Sequence, residues 1–494
     1  MNKKIIKIHP KDNVAVAVET LTAGEKVRVN NAVLMPTQEI PAGHKVALAD
    51  VHSGESVIKY GYPIGIAETD IQPGEHVHSH NLKSSLNKQE GYEYEPDISE
   101  LPELHPRTFM GYRRQDGRIG IRNEVWIIPT VGCVNAVAKA IERASLEFKT
   151  DHIDGIYAYG HPYGCSQLGE DQLHTQKLLS GFINHPNAAG CLVVSLGCEN
   201  NNLEEMKKVL GEVDKHRVKF LVCQESKDEI GDGVALVKEL CEFADTFRRT
   251  PCDVSGLVLG LKCGGSDGFS GITANPLVGR ISDRLIAMGG SSILTEVPEM
   301  FGAETILMNR CRSREIFENT VGLIQHFKDY FTGYGEPIDE NPSPGNKEGG
   351  ISTLADKALG CTQKGGGAPV EDVLSYGDII RKKGLSLLQA PGNDLVASCA
   401  LAASGAHMVL FTTGRGTPFA CPVPTLKIAS NSVLAEYKGG WIDYNAGKVL
   451  NGFDFDTCTD ELFDLILAVA EGRPVKSEKL DKTDIAIFKD GVTL

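Results

Sequence analysis

A chain of 494 residues is too long for one ordinary hydrophobic core, and roughly two to four domains are expected. Its 41% hydrophobic and 23% charged residues are globular values and exclude a disordered chain. The formal net charge of −15 argues against a nucleic-acid backbone or an anionic membrane as partner, but not against a small anion in a cleft.

No long apolar stretch follows Met1-Asn2-Lys3-Lys4, so no secretory signal is expected, and no apolar run is long enough to cross a bilayer. The 13 cysteines, an odd number, then fit reduced thiols in a cytoplasmic protein. Most of them are expected to serve as small buried apolar groups.

Residues 1–86 read as a β-rich module. Val14–Val18, Lys26–Val29, Lys45–Leu48 and Ser56–Tyr60 are short strand candidates, and Thr22-Ala23-Gly24-Glu25, Pro41-Ala42-Gly43-His44 and Gln72-Pro73-Gly74-Glu75 are turns. Residues 87–107, with Pro96, Pro102 and Pro106, predict an extended linker. From Glu124 the pattern alternates between strand and helix. Val125–Val131, Gly155–Tyr159, Cys191–Leu196 and Val218–Val222 are strands; Val134, Val137, Ala138 and Ile141, then Leu203, Met206, Leu210 and Val213, mark helix faces. Leu257–Leu261, Ile293–Glu296, Leu385–Gln389 and Met408–Thr412 continue the series, and Tyr334–Gly350 is a long loop. The fold class is therefore α/β: a small β-rich domain, then an open, mostly parallel α/β body in two parts, 108–250 and 251–494.

Three strands of this series end in Gly-Cys, at Gly132-Cys133, Gly164-Cys165 and Gly197-Cys198. Ligands of open α/β sheets bind outside the carboxyl ends of strands, so three thiols repeated at that edge are metal-ligand candidates. Lys262-Cys263-Gly264-Gly265-Ser266-Asp267 supplies a fourth strand-end cysteine. The spacing fits no compact zinc or ferredoxin pattern; three cysteines on separate loops also suit an iron–sulfur cluster with one open iron.

A second cluster is His76-Val77-His78-Ser79-His80, whose alternate residues share a strand face and offer imidazoles to a divalent ion. His161 and Tyr163, just before Cys165, are proton-transfer candidates. Arg415, in the Gly-rich Thr412–Pro418 turn, and Lys347 are candidates for a substrate carboxylate, as is Arg122 beside Gly120. No GxxxxGK[ST] phosphate loop and no G-x-S-x-G elbow occurs.

These phrases together resemble the altronate/galactarate dehydratase family over nearly the whole chain. The resemblance rests on Ile58–Gly65 and Gly74–His78, in a module similar to that family's SAF domain. It continues through Gly117–Asn123, Cys263–Asp267, Asn341–Gly350 and Thr412–Pro418. It implies an Fe²⁺-dependent, Mn²⁺-tolerant hydro-lyase and makes 251–494 the catalytic domain. Members convert D-altronate to 2-dehydro-3-deoxy-D-gluconate, others act on galactarate, and others cleave sulfolactate. Cys361, in Leu359-Gly360-Cys361, is left outside the site. The metal set expected is His76, His78, Cys133, Cys165, Cys198 and Cys263. The partner is a small sugar acid, with no nucleic acid or membrane, in a homo-oligomer. A non-catalytic sugar-acid sensor is the alternative of another class.

Overall fold

The computed structural model describes residues 4–29, 32–86, 91–480 and 485–494. The N-terminal module is β-rich, as the turn spacing predicts. Ile5–Ile6, Val14–Ala17, Lys45–Ala47 and His76–Val77 form one antiparallel sheet in that order. Ser56–Lys59, Tyr62–Ala67 and Leu82–Lys83 form a second. Val14, Ala47, Val57, Ile64 and Val77 pack with Ala303, Ala358 and Leu359 of the body. The module thus completes its small core by leaning on the helix Leu354–Cys361.

The expected linker is extended but not free. Residues 87–90 lie outside the described residues. Beyond them, Tyr92 Oη donates to Glu304 (2.8 Å) and Tyr94 Oη to the Cys311 carbonyl (2.7 Å). The backbone amides of Asp97 and Leu104 donate to Asn309 (2.7 Å) and Ala287 (2.8 Å). The prolines forbid helix, and the tyrosines tie the extended chain along the body as a strap.

The first part of the body is a four-stranded parallel sheet ordered Gly155–Ala158, Glu124–Pro129, Ala188–Ser195, Val218–Val222. Helices Asn135–Ser145 and Glu229–Ala244 cover one face through Ala138, Ile141, Val237 and Leu240. The other face carries Trp126, Ile128 and Val193 and packs through the helix Gly169–Ile183 into one core with Ala397, Leu401, Val409 and Phe411 of the next part. Thr108–Arg113 and Arg249–Asp253, which enter and leave this part, pair antiparallel, and the expected boundary at 250 falls inside the second of them.

The C-terminal part is a seven-stranded, all-parallel sheet. Its order is Val370–Leu374, Gly384–Leu388, Ser291–Leu294, Val258–Cys263, Met408–Thr413, Thr425–Ala429, Tyr444–Asn445. Its first strand in the chain, Val258–Cys263, is central. The chain builds outward to one side, then returns to pair Met408–Thr413 with the other side of the same strand. The carboxyl end of Val258–Cys263 is therefore the topological switch point, where open sheets leave a crevice.

Candidate active site

Loops from both sides of the switch point are stitched together. The Gly265 carbonyl accepts from the amides of Gly414 and Arg415, both at 3.0 Å. Asp267, buried, accepts from the amide of Ser270 (2.9 Å), Ser430 Oγ (2.8 Å) and Asn431 Nδ2 (2.9 Å), so its carboxylate organises the turn. The loop read as Tyr334–Gly350 closes over it. Within that loop a short helix, Pro344–Glu348, starts at Ser343, and Asn346 Nδ2 donates to the Ser266 carbonyl at 2.8 Å.

The N-terminal module meets this loop directly. Gly268 donates its amide to Gly349 (2.7 Å), and a Cβ on Gly268 would lie 1.9 Å from the Gly43 carbonyl, so only glycine allows the approach. Lys45 pairs across the sheet with Val77, and Val46 with His76, which brings His44 level with His78. Three rings then gather: His44 to His76 at 5.0 Å, His44 to His78 at 5.1 Å and His76 to His78 at 5.5 Å between centroids. His80 joins them at 5.3 Å from His76. His44 Nδ1 lies 3.0 Å from His76 Nε2. His44 Nε2 and His78 Nε2 reach the carbonyls of Glu348 (3.1 Å) and Lys347 (3.0 Å). Burial pulls His44 below its ordinary value, His76 down to about 3 and His78 down to about 4. Lys45 adds to it for all three, as do neighbouring imidazoles for His76 and His78. Near neutral pH these imidazoles are uncharged; with Nε2 donating to a carbonyl, the lone pair of His44 and of His78 lies on Nδ1, facing His76 Nε2 (3.0 Å) and Ser79 Oγ (3.0 Å).

Beneath the loop lies a buried charged cluster. Cys263 Sγ lies 3.3 Å from Cys361 Sγ, and Glu299 Oε2 lies 3.5 Å from the first and 3.2 Å from the second. Among the described residues this is the one trio of Cys, His or acidic donors gathered within 4.8 Å. Lys364 Nζ donates to Cys263 Sγ (2.9 Å), Lys357 pairs with Glu299 (2.8 Å), and Lys262 pairs with Glu296. Glu296 sits in the left-handed region, φ 69°, where a non-glycine residue is strained. Burial opposes the charge on Glu299, but Lys357, Lys262 and Lys364 together outweigh it and hold the carboxylate down at about 2. The hydrogen bond with Cys263, and then burial, keep the Cys361 thiol well above its usual range, hence protonated. Cys361 thus belongs to the floor of the site, contrary to its omission on sequence grounds.

A second buried group clamps the module onto this floor. Asp356 accepts from Lys45 and Lys59, both at 2.9 Å, and Lys45 also reaches the Gly350 carbonyl at 2.7 Å. One carboxylate cannot fully compensate two buried ammonium groups. Burial outweighs it for Lys45, held down at about 8; for Lys59, burial is overcome by Asp356 and Tyr60, which hold it above its ordinary value.

The expected site residues divide among three places. His76, His78, Lys347 and Arg415 come together at the switch point; Arg415 is exposed and pairs with Glu348 at 2.9 Å. Cys263 lies in the buried floor. Cys133, Cys165 and Cys198 are exposed at the carboxyl edge of the four-stranded sheet, and their sulfurs do not close to the span of a single ion. His161 is buried beside them, its Nε2 2.7 Å from the Pro129 carbonyl and its Nδ1 accepting from the Tyr163 amide at 3.2 Å. Tyr163 is half-buried at the edge of the core that holds Trp126 and Tyr159, and burial raises its phenol above the ordinary value. Arg122 binds Glu478 (2.9 Å) and the carbonyls of Ile121 (3.0 Å) and Val469 (2.7 Å), a set of contacts that ties the body together away from the switch point. Sequence reasoning missed His44, Glu299, Lys357 and Cys361. Only the sheet register reveals His44, and nothing in local spacing marks the other three.

Family profiles match the chain from end to end. Residues 3–85 match the altronate/galactarate dehydratase SAF domain, 111–245 the second domain of D-galactarate dehydratase/altronate hydrolase, and 254–493 the C-terminal domain of D-galactarate/altronate dehydratase. The chain is 52% identical over 496 residues to the altronate dehydratase of Bacillus subtilis (strain 168), covering 100% of both. It is 49% identical over 492 residues to the altronate dehydratase of Escherichia coli (strain K12), covering 99% of both. To the galactarate dehydratase (L-threo-forming) of Escherichia coli (strain K12) it is 33% identical over 497 residues, covering 95% of this chain and 93% of the relative. With its SAF module, its two α/β parts and the histidines gathered at their switch point, the chain belongs to the D-galactarate/altronate dehydratase family.

Proposed function

We propose that this chain is a cytoplasmic hydro-lyase that removes water from D-altronate to give 2-dehydro-3-deoxy-D-gluconate. The observation that carries the reading is full-length identity of 52% and 49% to two altronate dehydratases, against 33% to a galactarate dehydratase. The histidine cluster at the switch point supplies the place for the chemistry.

Ligand type supports the divalent ion that the family resemblance implies. His44, His76 and His78 are uncharged imidazoles with ring centroids 5.0–5.5 Å apart, a donor chemistry suited to Fe²⁺ or Mn²⁺, and their nitrogens would draw closer to share one ion. These three residues would hold the ion. Once bound it supplies a positive charge against the negative charge that develops on the substrate carboxylate and C2 hydroxyl.

Arg415 and Lys347, exposed at the rim, offer cations to the substrate carboxylate. The C2 proton is assigned to His80, which is exposed beside His76 and so supports the role of base. The C3 hydroxyl leaves as water, the C2–C3 enol forms, and it ketonises by taking a solvent proton at C3. No electron is gained or lost, so no redox cofactor is required.

A coupled assay with D-altronate, galactarate and other aldonates, on protein loaded anaerobically with Fe²⁺ or Mn²⁺, tests the reading. Turnover of D-altronate well above the others is expected; preference for galactarate, or binding without turnover, would overturn it.

A further inference from the structure

We propose that Cys133, Cys165 and Cys198 hold an iron–sulfur cluster of the four-iron class, with its fourth iron open to solvent. The assignment does not rest on the hydro-lyase reading; it comes from four observations.

Exposure singles these residues out. Of the 13 cysteines, these three are exposed, Cys223 is half-buried and the other nine are buried. Free cysteine normally behaves as a small buried apolar group, so an exposed set needs another explanation. All three lie at one edge, just past the carboxyl ends of Glu124–Pro129, Gly155–Ala158 and Ala188–Ser195, which are adjacent in the sheet.

The loops that carry them are locked together. Gly132 donates its amide to the Tyr163 carbonyl (2.9 Å), and Asn201 donates its amide to Gly164 (3.0 Å) and its Nδ2 to Thr130 (3.0 Å). Gly164 has φ 99°, and a Cβ there would lie 2.0 Å from the Thr130 carbonyl, so the Cys165 loop can approach the Cys133 loop only with glycine at that position. Glu199, buried, anchors the Cys198 turn through Thr130, Ser195 (both 2.6 Å) and the amides of Leu196 (3.1 Å) and Gly197 (2.6 Å). The scaffold is thus rigid below while the thiols stay in solvent.

Polar groups already face the sulfurs. Gln224 Nε2 donates to Cys198 Sγ at 3.3 Å, and Ser166 Oγ donates to Cys165 Sγ at 3.9 Å. Hydrogen bonds to thiolate sulfur are among the features by which a protein tunes such a cluster. Each cysteine also precedes a helix, Asn135–Ser145, Gly169–Ile183 or Leu203–Leu210, and helix N-termini favour an anionic group.

The spacing argues against one ion. The three sulfurs are not gathered within 4.8 Å, as a mononuclear tetrahedral site requires. In a polynuclear cluster each thiolate binds a different iron, so the ligands stand farther apart. With three cysteines and no fourth thiol exposed at this edge, one iron is left without a protein sulfur.

The test uses the full chain, reconstituted anaerobically with Fe²⁺ and sulfide, then desalted. Iron and acid-labile sulfide are counted, and the oxidised and reduced samples are examined by EPR. We expect about four irons and four sulfides per chain. Cys133→Ser, Cys165→Ser and Cys198→Ser should each lose most of both. Cys223→Ser, at the end of the next strand Val218–Val222, should retain them and controls for the general loss of a thiol. Circular dichroism of each variant checks that the fold persists. Iron without labile sulfide, or labile sulfide equal in wild type and the three variants, overturns the assignment.

Discussion

Asp356→Asn should loosen the N-terminal module without dismantling the body. The substitution keeps the shape of the side chain and removes the one carboxylate shared by two fully buried lysines. Breaking a buried ion pair by removing one partner costs about 3–5 kcal/mol, because the other charge stays buried. Lys45, already held at about 8, can shed its proton near neutral pH at modest cost, so the penalty falls mainly on Lys59. Asp356 also stands in the first turn of its helix, where a carboxylate is worth about 0.3–1 kcal/mol on its own. The expected loss is therefore about 3–5 kcal/mol, well above the helix effect. The lysines hold the folded-state pKa of Asp356 below its usual range. Its contribution is then present above the unfolded value of about 3.9 and is lost as pH falls through the folded one, so the gap between wild type and variant should begin to narrow below about pH 4 and close only at the folded value. Urea unfolding gives the magnitude, and hydrogen exchange gives the place: protection should fall first in residues 4–86. A loss of about 1 kcal/mol or less, with the module still protected, would refute the clamp.

Three further outcomes follow from the site. His78→Ala should weaken metal retention and reduce kcat together, by on the order of 100-fold, with partial recovery on adding Fe²⁺ or Mn²⁺; metal content and rate measured on one sample decide it. Arg415→Ala should raise KM by about tenfold with kcat nearly unchanged, since an exposed rim cation serves binding; an equal fall in kcat would place it in the chemistry. His407 is buried and neutral, donating from Nε2 to Ile119 (2.6 Å) and accepting at Nδ1 from Val258 (3.0 Å), and burial holds it at about 4. Its folded pKa is depressed, so its share of stability is present above about pH 6.5 and is lost on acidification; about 2 kcal/mol should go between pH 6.5 and 5 from this residue alone. Equilibrium unfolding of His407→Gln should show a shallower pH slope over that window, and an unchanged slope would contradict the assignment.

The alternation of strand and helix from Glu124 onward was legible in the sequence because both faces of each parallel strand are buried. Val125–Val131 and Met408–Thr412 accordingly read as apolar runs, and they stand in the structure as Glu124–Pro129 and Met408–Thr413. Val370–Leu374 and Thr425–Ala429 were not legible; their interior charges, Glu371, Asp372 and Lys427, break the run. The histidines at 76 and 78 were visible as a strand pattern, yet their partner His44 came from a different strand through pairing register. The floor was hidden for the same reason. Cys263, Glu299, Cys361 and Lys364 are brought together by a crossover and a helix, and no local period records such a meeting. Of the three Gly-Cys pairs, Gly132-Cys133 and Gly197-Cys198 follow their strands within three residues, whereas the strand before Gly164-Cys165 ends at Ala158 and a loop carries the pair.

The most direct test of the hydro-lyase assignment is NMR of the product formed from D-altronate in D₂O by the metal-loaded chain. The account predicts 2-dehydro-3-deoxy-D-gluconate carrying one solvent-derived deuterium at C3, with the C2 hydrogen of the substrate released to water. Unchanged D-altronate, or a product that keeps the substrate's C2 hydrogen at C3, would contradict it.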